Sequence, residues 1–519
     1  MRLNITTTVC AAGLLATSGA WADTLHVGPG QTFGAPCDAI AAAADGDIIE
    51  IDAGGDYAGD VCGVSKNSLT LRGVNGRALL DAAGQNAGGK ATWVISGQNT
   101  VVENLEFTGA AVPDQNGAGI RQEGRNLTVR NCYFHDNENG ILTSADSQSE
   151  ILIEYSEFAN NGRGDGQTHN LYIGHIGRLI FQFNYSHEAK IGQLLKSRAA
   201  ENYVLYNRLS EESGTESYEI DIPNGGRTYV IGNLIHQGPN AENGGIFSYE
   251  AEGAHADNPE HDVYVVNNTF VNERANGGTF IDLHAVTVPA VIRNNIFVGP
   301  GTLVTQASAE VGGNFQGDPG FVNQAGYDYH LTSGSPAENA GVDPGTGAGY
   351  DLTPAYHYVH PAGSEQRATV GTIDIGAYEI GGSAGGGGAA GAGGSSGTGG
   401  SAGTGGSAGT GGSAGTGGSA GTGGSAGTGG SAGTGGSAGT GGSAGTGGSA
   451  GTGGSAGTGG SAGTGGSSGA SAAPDEDEGC SCSVVAPRAS GPASLALGLL
   501  AGLALVRRRR AASRILSSR

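Results

Sequence analysis

The residues best suited to chemistry in this chain lie between positions 165 and 255. His169-Asn170-Leu171-Tyr172-Ile173-Gly174-His175 opens the stretch, and Lys190, Lys196 and Arg198 follow. Tyr218-Glu219-Ile220-Asp221 and Arg227 come next, then Ser248-Tyr249-Glu250-Ala251-Glu252. Residues 23–380 carry 44 Asp and Glu against 17 Lys and Arg, a balance of −27. They include only four Lys, of which Lys190 and Lys196 are two. Cations gathered in so acidic a segment call for a partner or a use.

A lysine withdrawn from water beside another cation can act as a general base. β-Elimination on a uronic-acid polysaccharide needs such a base for the proton beside the carboxylate, and a cation for the developing enolate. On this reading Lys196, Arg198, Glu219 and Asp221 are the catalytic candidates. His169, Tyr172, His175, Lys190, Tyr218, Arg227 and Glu250 are the substrate-binding candidates. Paired carboxylates, Glu219 with Asp221 or Glu250 with Glu252, would instead suit glycoside hydrolysis at about 5–9.5 Å separation. A third reading has no catalysis: a face that binds sugar, as a lectin, adhesin or spacer. The blandest is a solvated face laced with ion pairs such as Lys196 with Glu219. His135, His187 and His236 read as turn residues. The domain has no HExxH, no Cys-pair metal pattern and no phosphate loop. Its acidity excludes general binding of nucleic acid.

The elements that must position these residues repeat along the chain. Val101–Phe107, Leu127–Phe134, Ile151–Phe158, Val263–Phe270 and Ala290–Phe297 are short apolar runs ending in a large residue. Aligned on that residue, the series Phe107, Phe134, Phe158, Tyr185, Leu209, Ile235, Phe270 and Phe297 has spacings of 27, 24, 27, 24, 26, 35 and 27. Such runs are too short for helices and match strands. One unit cannot bury its own inner face, but stacked units can. The pattern predicts an all-β, single-stranded parallel β-helix, with Phe107, Phe134, Phe158 and Phe297 in one buried stack. Asn104, Asn131, Asn207, Asn233, Asn268 and Asn295 are expected to bond along its axis. Stacking places Leu171, Leu194, Ile220 and Ile246 inward. Tyr172, Leu195, Glu219, Asp221 and Phe247 then point outward, with Lys196 and Arg198 at the strand end.

The chain resembles the pectate-lyase-like right-handed β-helix superfamily at both ends of this segment. The N-terminal match is a short helix former, Cys37–Ala44, then Asp45-Gly46-Asp47 and the strand Ile48–Ile51. The closing match is Asp318-Pro319-Gly320-Phe321, Ser333-Gly334-Ser335-Pro336 and Asp374-Ile375-Gly376-Ala377-Tyr378-Glu379. The resemblance implies a right-handed coil with an N-terminal capping helix. Lys196-Ser197, with Asn202 following, resembles the lysine motif of alginate-lyase and chondroitinase-B type enzymes. Where that motif has an acidic calcium ligand, this chain has Gln193, Leu194 and Leu195; where it has an Arg after an aromatic, Tyr218 is followed by Glu219. Calcium is the candidate cofactor on this resemblance.

Residues 1–22 read as a secretory signal ending at Ala20-Trp21-Ala22. Export permits disulfides, and Cys37 with Cys62 is the candidate pair; Cys132 reads as a small buried residue. Residues 381–474 are nearly all Gly, Ala, Ser and Thr, with SAGTGG repeated eleven times over 401–466, a linker that cannot build a core. Residues 475–519 contain Cys480, an 18-residue apolar run over 489–506 that reads as a short membrane segment, and Arg507–Arg510 as its basic stop. This tail resembles the cysteine-type C-terminal sorting tags of myxobacterial surface proteins. The resemblance implies cleavage near Cys480 by a sorting protease at the membrane and transfer to the cell surface. The expected partner is extracellular polysaccharide, and the expected state is a monomer.

Overall fold

The computed structural model describes residues 22–381. Short strands with alternating burial follow one another around a coil. One turn runs through Leu127–Arg130, Tyr133–His135 and Asn139–Thr143, and Asp146–Glu154 then returns to the position of the first. Each strand pairs in parallel with its counterpart one turn away. The described residues thus form a first sheet of twelve strands, a second of ten and a third of ten, about ten turns in all. Register is strict because every turn must keep its apolar residues inside: Val129 faces Ile153, Phe134 faces Phe158 and Ile141 faces Leu171.

Phe107, Phe134 and Phe158 stack face to face, 4.9 and 5.0 Å between ring centroids. The column continues through Ser186, Leu209 and Ile235 to Phe270 and Phe297. Tyr185, aligned with this column in the sequence, is one residue off. It faces outward and packs with Tyr329, Tyr358 and Tyr378 of the C-terminal segment. Its neighbour Ser186 stands in the core and satisfies its hydroxyl on Leu194 O and Asn170 Nδ2.

Buried amides run beside the core. Asn184, Asn207, Asn233, Asn268 and Asn295 each receive the backbone N–H of the previous ladder residue at 2.8–3.0 Å, and Asn314 completes the row. Asn104 and Asn131 also bond along the axis, Asn131 Nδ2 donating to Asn104 Oδ1 at 3.0 Å, but in a separate row. They sit one position earlier, at φ 55° and 53°, where the chain needs the left-handed region that Asn tolerates.

Helix Pro36–Ala42 buries Ala39 and Ile40 in the same core, and Cys37 is joined to Cys62. Cys132 is buried and free. Residues after 318 fold back onto the outer side of the coil. Leu331, Tyr358 and Tyr378 cover Leu234, Val271 and Val298 of the second sheet, and Leu352 packs with Tyr229 and Val266 of the first. A buried ion pair, Arg367 with Glu379 at 3.0 Å, locks that segment. Among the described residues no helix is long and apolar enough to cross a membrane. The signal, the linker, Cys480 and the apolar tail lie outside the described residues.

Candidate functional site

Three successive strands of the third sheet build the candidate face: Leu171–Ile173, Leu195–Ser197 and Ile220–Ile222. Their first and third residues point inward, so the middle residues Tyr172, Lys196 and Asp221 stand in one outward column, each paired with the next. Ser248 and Asp282 extend the column. Leu171 and Ile220 face inward and Tyr172 and Asp221 outward, as expected, whereas the strands Leu195–Ser197 and Gly245–Tyr249 are one residue out of phase with the sequence expectation. Leu195 and Phe247 are core residues, and Lys196 is in the column rather than at its end.

Lys196 is only 1% exposed, which demands partners. Its Nζ lies 3.3 Å from Asp221 Oδ2 and 3.3 Å from Glu252 Oε1. The other Glu252 oxygen accepts from Arg198 Nη1 at 2.7 Å. Arg198 Nε donates to the Tyr172 hydroxyl at 2.9 Å, and its Nη1 also reaches Asn224. Both cations sit by the Tyr172 ring, 5.6 and 5.5 Å from its centroid. One carboxylate therefore bridges two nearly buried cations beside an aromatic ring.

The surroundings set the protonation states. Burial raises the Asp221 carboxyl above its ordinary range, and the Lys196 charge only partly offsets this. Burial acts on Glu252 in the same sense, but the Arg198 hydrogen bond and the Lys196 charge prevail and hold it low. His169 is buried against Tyr172 and accepts the Gln193 N–H on Nδ1 at 3.1 Å. Burial, with the charges of Lys196 and Arg198, pushes it well below the usual imidazole range, so it is neutral.

Other sequence candidates lie elsewhere. Glu219 is not on the face. It precedes the strand at the corner of the coil, turns inward and is fully buried, with burial first and then Glu216 driving its carboxyl well above the ordinary range. Its supposed ion pair with Lys196 is replaced by Asp221 and Glu252. Lys190 pairs with Asp136 at 3.3 Å on the loop between the second and third sheets. Arg227 belongs to the first sheet, where Glu201, Glu260 and Asp262 hold it. Glu250 is near His261 Nδ1, at 3.4 Å. Tyr218 is half-buried at the edge of the third sheet, in the register position of Gln193. His175 packs on His255, 3.9 Å between rings. His135, His187 and His236 lie in strands of the second sheet rather than in turns, the first two as the last strand residue, each near a carboxylate: Glu106, Glu157 and Glu273.

What the sequence reading lacked was the cover. Residues 250–262 are an insertion, and they bring Glu252, His255, Asp257 and Asn258 over the third sheet. Asn258 Nδ2 donates to the carbonyls of Arg198, Asn224 and Gly225. The signal was present as the one 35-residue spacing among spacings of 24–27. The face does not suit calcium, which takes six to eight oxygens. Lys196 occupies the space between Asp221 and Glu252, and Leu194 and Leu195 are buried.

Residues 81–184 match the family described as right handed beta helix region. With the three stacked parallel sheets, this defines the described chain as a right-handed parallel β-helix. Among solved structures it is similar to pectate lyase Pel9A, at 13% identity and TM-score 0.45, over 70% of this chain and 98% of that one. It is also similar to ORF18 of Geobacillus virus E2, at 13% identity and TM-score 0.33, over 54% and 57%. No curated protein matches it.

Proposed function

We propose that this is an exported, surface-displayed protein that engages an extracellular uronate polysaccharide at the third-sheet face. The observation that carries the reading is the bridge from Lys196 and Arg198 to Glu252. Two nearly buried cations converge on one carboxylate in a domain of charge −27. A uronate offers the same carboxylate, and it would take the place of Glu252 as the covering loop moves aside. Tyr172 stands beside that place for a sugar ring, and Asp221 for hydroxyls. Helix Pro36–Ala42 acts as the N-terminal cap. The signal peptide, the glycine-rich linker and the Cys480 tag supply export and anchoring. Cys480→Ala is expected to leave full-length protein in the inner membrane and to reduce surface display; normal display of that variant would show that Cys480 is not the signal.

The second reading is β-elimination, with Lys196 as base and Arg198 stabilising the enolate. Burial of Lys196 beside Arg198 favours it. Two carboxylates at 3.3 Å favour the ammonium instead, so the base would form only after Glu252 leaves. The test is ultraviolet detection of unsaturated uronate on alginate, pectate and glycosaminoglycans, with and without calcium, alongside binding to the same polymers. Binding that is lost in Lys196→Ala supports the face. Product formation that falls about 10²–10⁴-fold in that variant establishes the lyase. Undiminished binding in Lys196→Ala would place the sugar elsewhere.

A further inference from the structure

We propose that His175, His255 and Asp257 form a binding site for a divalent transition-metal ion of the zinc class. Each offers one ligand atom, and the three atoms lie within 4.8 Å of one another. Among the described residues this is the one such grouping of three His, Cys, Asp or Glu. Two ligand atoms on a tetrahedral ion with bonds of about 2.0–2.1 Å stand about 3.3 Å apart. Asp257 Oδ2 is 3.6 Å from His255 Nδ1, and that nitrogen accepts the Asp257 backbone N–H at 3.2 Å, a bond it would exchange for the ion. His175 Nδ1 is buried and has no hydrogen-bond partner among the described residues, so a lone pair or an N–H is left unanswered there.

The chemistry of the donors selects the ion. Two imidazoles and one carboxylate suit zinc, cobalt or nickel, whereas calcium and magnesium ask for oxygen. The two rings lie 3.9 Å apart, which brings a nitrogen of each within reach of one ion. His255 and Asp257 are about half exposed, so an ion can reach them and a water can complete the shell. The sequence origins of the ligands give the site a consequence. His175 follows the strand Leu171–Ile173, while His255 and Asp257 belong to the insertion, three and five residues beyond Glu252. The ion would pin the covering loop to the coil beside Lys196 and Arg198. The site stands on its own ligands and does not depend on the sugar reading.

The full chain, stripped with chelator, should take up Co²⁺ with the visible absorption of a low-coordinate site. Zn²⁺ should displace it, and Ca²⁺ at about 10 mM should not. His255→Ala should weaken Zn²⁺ about 100-fold and Asp257→Asn about 10-fold, measured by calorimetry. The melting temperature of His255→Ala in chelator should match that of the parent, since the residue is on an exposed loop; if it does not, Asp257→Asn gives the same comparison. Zn²⁺ binding weaker than millimolar in the parent overturns the proposal. So does unchanged affinity in both His175→Ala and His255→Ala, or displacement of Co²⁺ by Ca²⁺.

Discussion

The turns between residues 91 and 160 and those between 170 and 265 share one backbone and differ in what they bury. In the earlier turns the core column is Phe107, Phe134 and Phe158, and the third-sheet corner holds Gly119 and Gly140, into whose space the rings fit. In the later turns the same column holds Ser186, Leu209 and Ile235, and the corner holds Asn170, Leu194 and Glu219. The outward face changes in parallel, from Val94, Arg121 and Leu142 to Tyr172, Lys196 and Asp221. A stacked coil is held turn by turn through neighbouring interfaces. It can therefore concentrate aromatic packing in one set of turns and carry buried polar and charged groups in another. Local rules of packing are broken where a site is expected.

The contrast can be broken experimentally, starting with its strongest element. Phe134→Ala should remove about 3–5 kcal/mol in denaturant unfolding, because the ring is sandwiched between Phe107 and Phe158 and the flanking turns cannot close the gap. A loss below 1 kcal/mol would show that the aromatic stack is not what holds the earlier turns. Asn233→Ala should cost about 1–3 kcal/mol, since the Asn207 backbone N–H and side-chain amide both lose their buried acceptor.

The buried acids of the later turns give a smaller effect with a defined pH signature. Burial raises Glu216 to about 8, and Glu219 beside it is also raised. Between pH 4.5 and about 8 the folded chain keeps a proton that the unfolded chain has lost, so stability falls as pH rises through that window. Glu219→Gln should flatten this slope and stabilise the protein by about 1–2 kcal/mol at pH 8. Stability that rises with pH over that range in the parent would refute the shared burial. The least effect is expected at Arg227→Ala. Its ion pairs are at the surface of another sheet, so unfolding should change by less than about 0.5 kcal/mol and binding to uronate polymers by nothing measurable.

The repeat itself was legible because a parallel stack uses the same residue type at the same phase in each turn. Phe107, Phe134, Phe158 and Phe297 each close a strand-like run of the same pattern, and Cys37 and Cys62 flank the first long strand. Reading broke down where two neighbouring residues were both large or both polar. Tyr185-Ser186 and Leu194-Leu195 each offer two registers, and a one-residue slip reverses which side chain faces the core. Alternation puts Glu219 and Asp221 on one face, but Glu219 lies before the first residue of the strand Ile220–Ile222. The backbone turns the corner there, and the period-2 rule ends with the strand.

By itself the sequence determined the coil, its apolar column, its register over most turns and the cation-rich stretch that faces out of the third sheet. These follow from short-range periodicity repeated many times, so a local error is corrected by the next turn. Only the tertiary structure decided the partners of Lys196. Glu252 is 56 residues away in the chain and reaches it because a long insertion folds back across two turns. The same fold set His175 against His255 and Asp257, 80 and 82 positions apart in sequence. Contacts of that kind depend on how far a loop travels and where it lands, and no repeat constrains either.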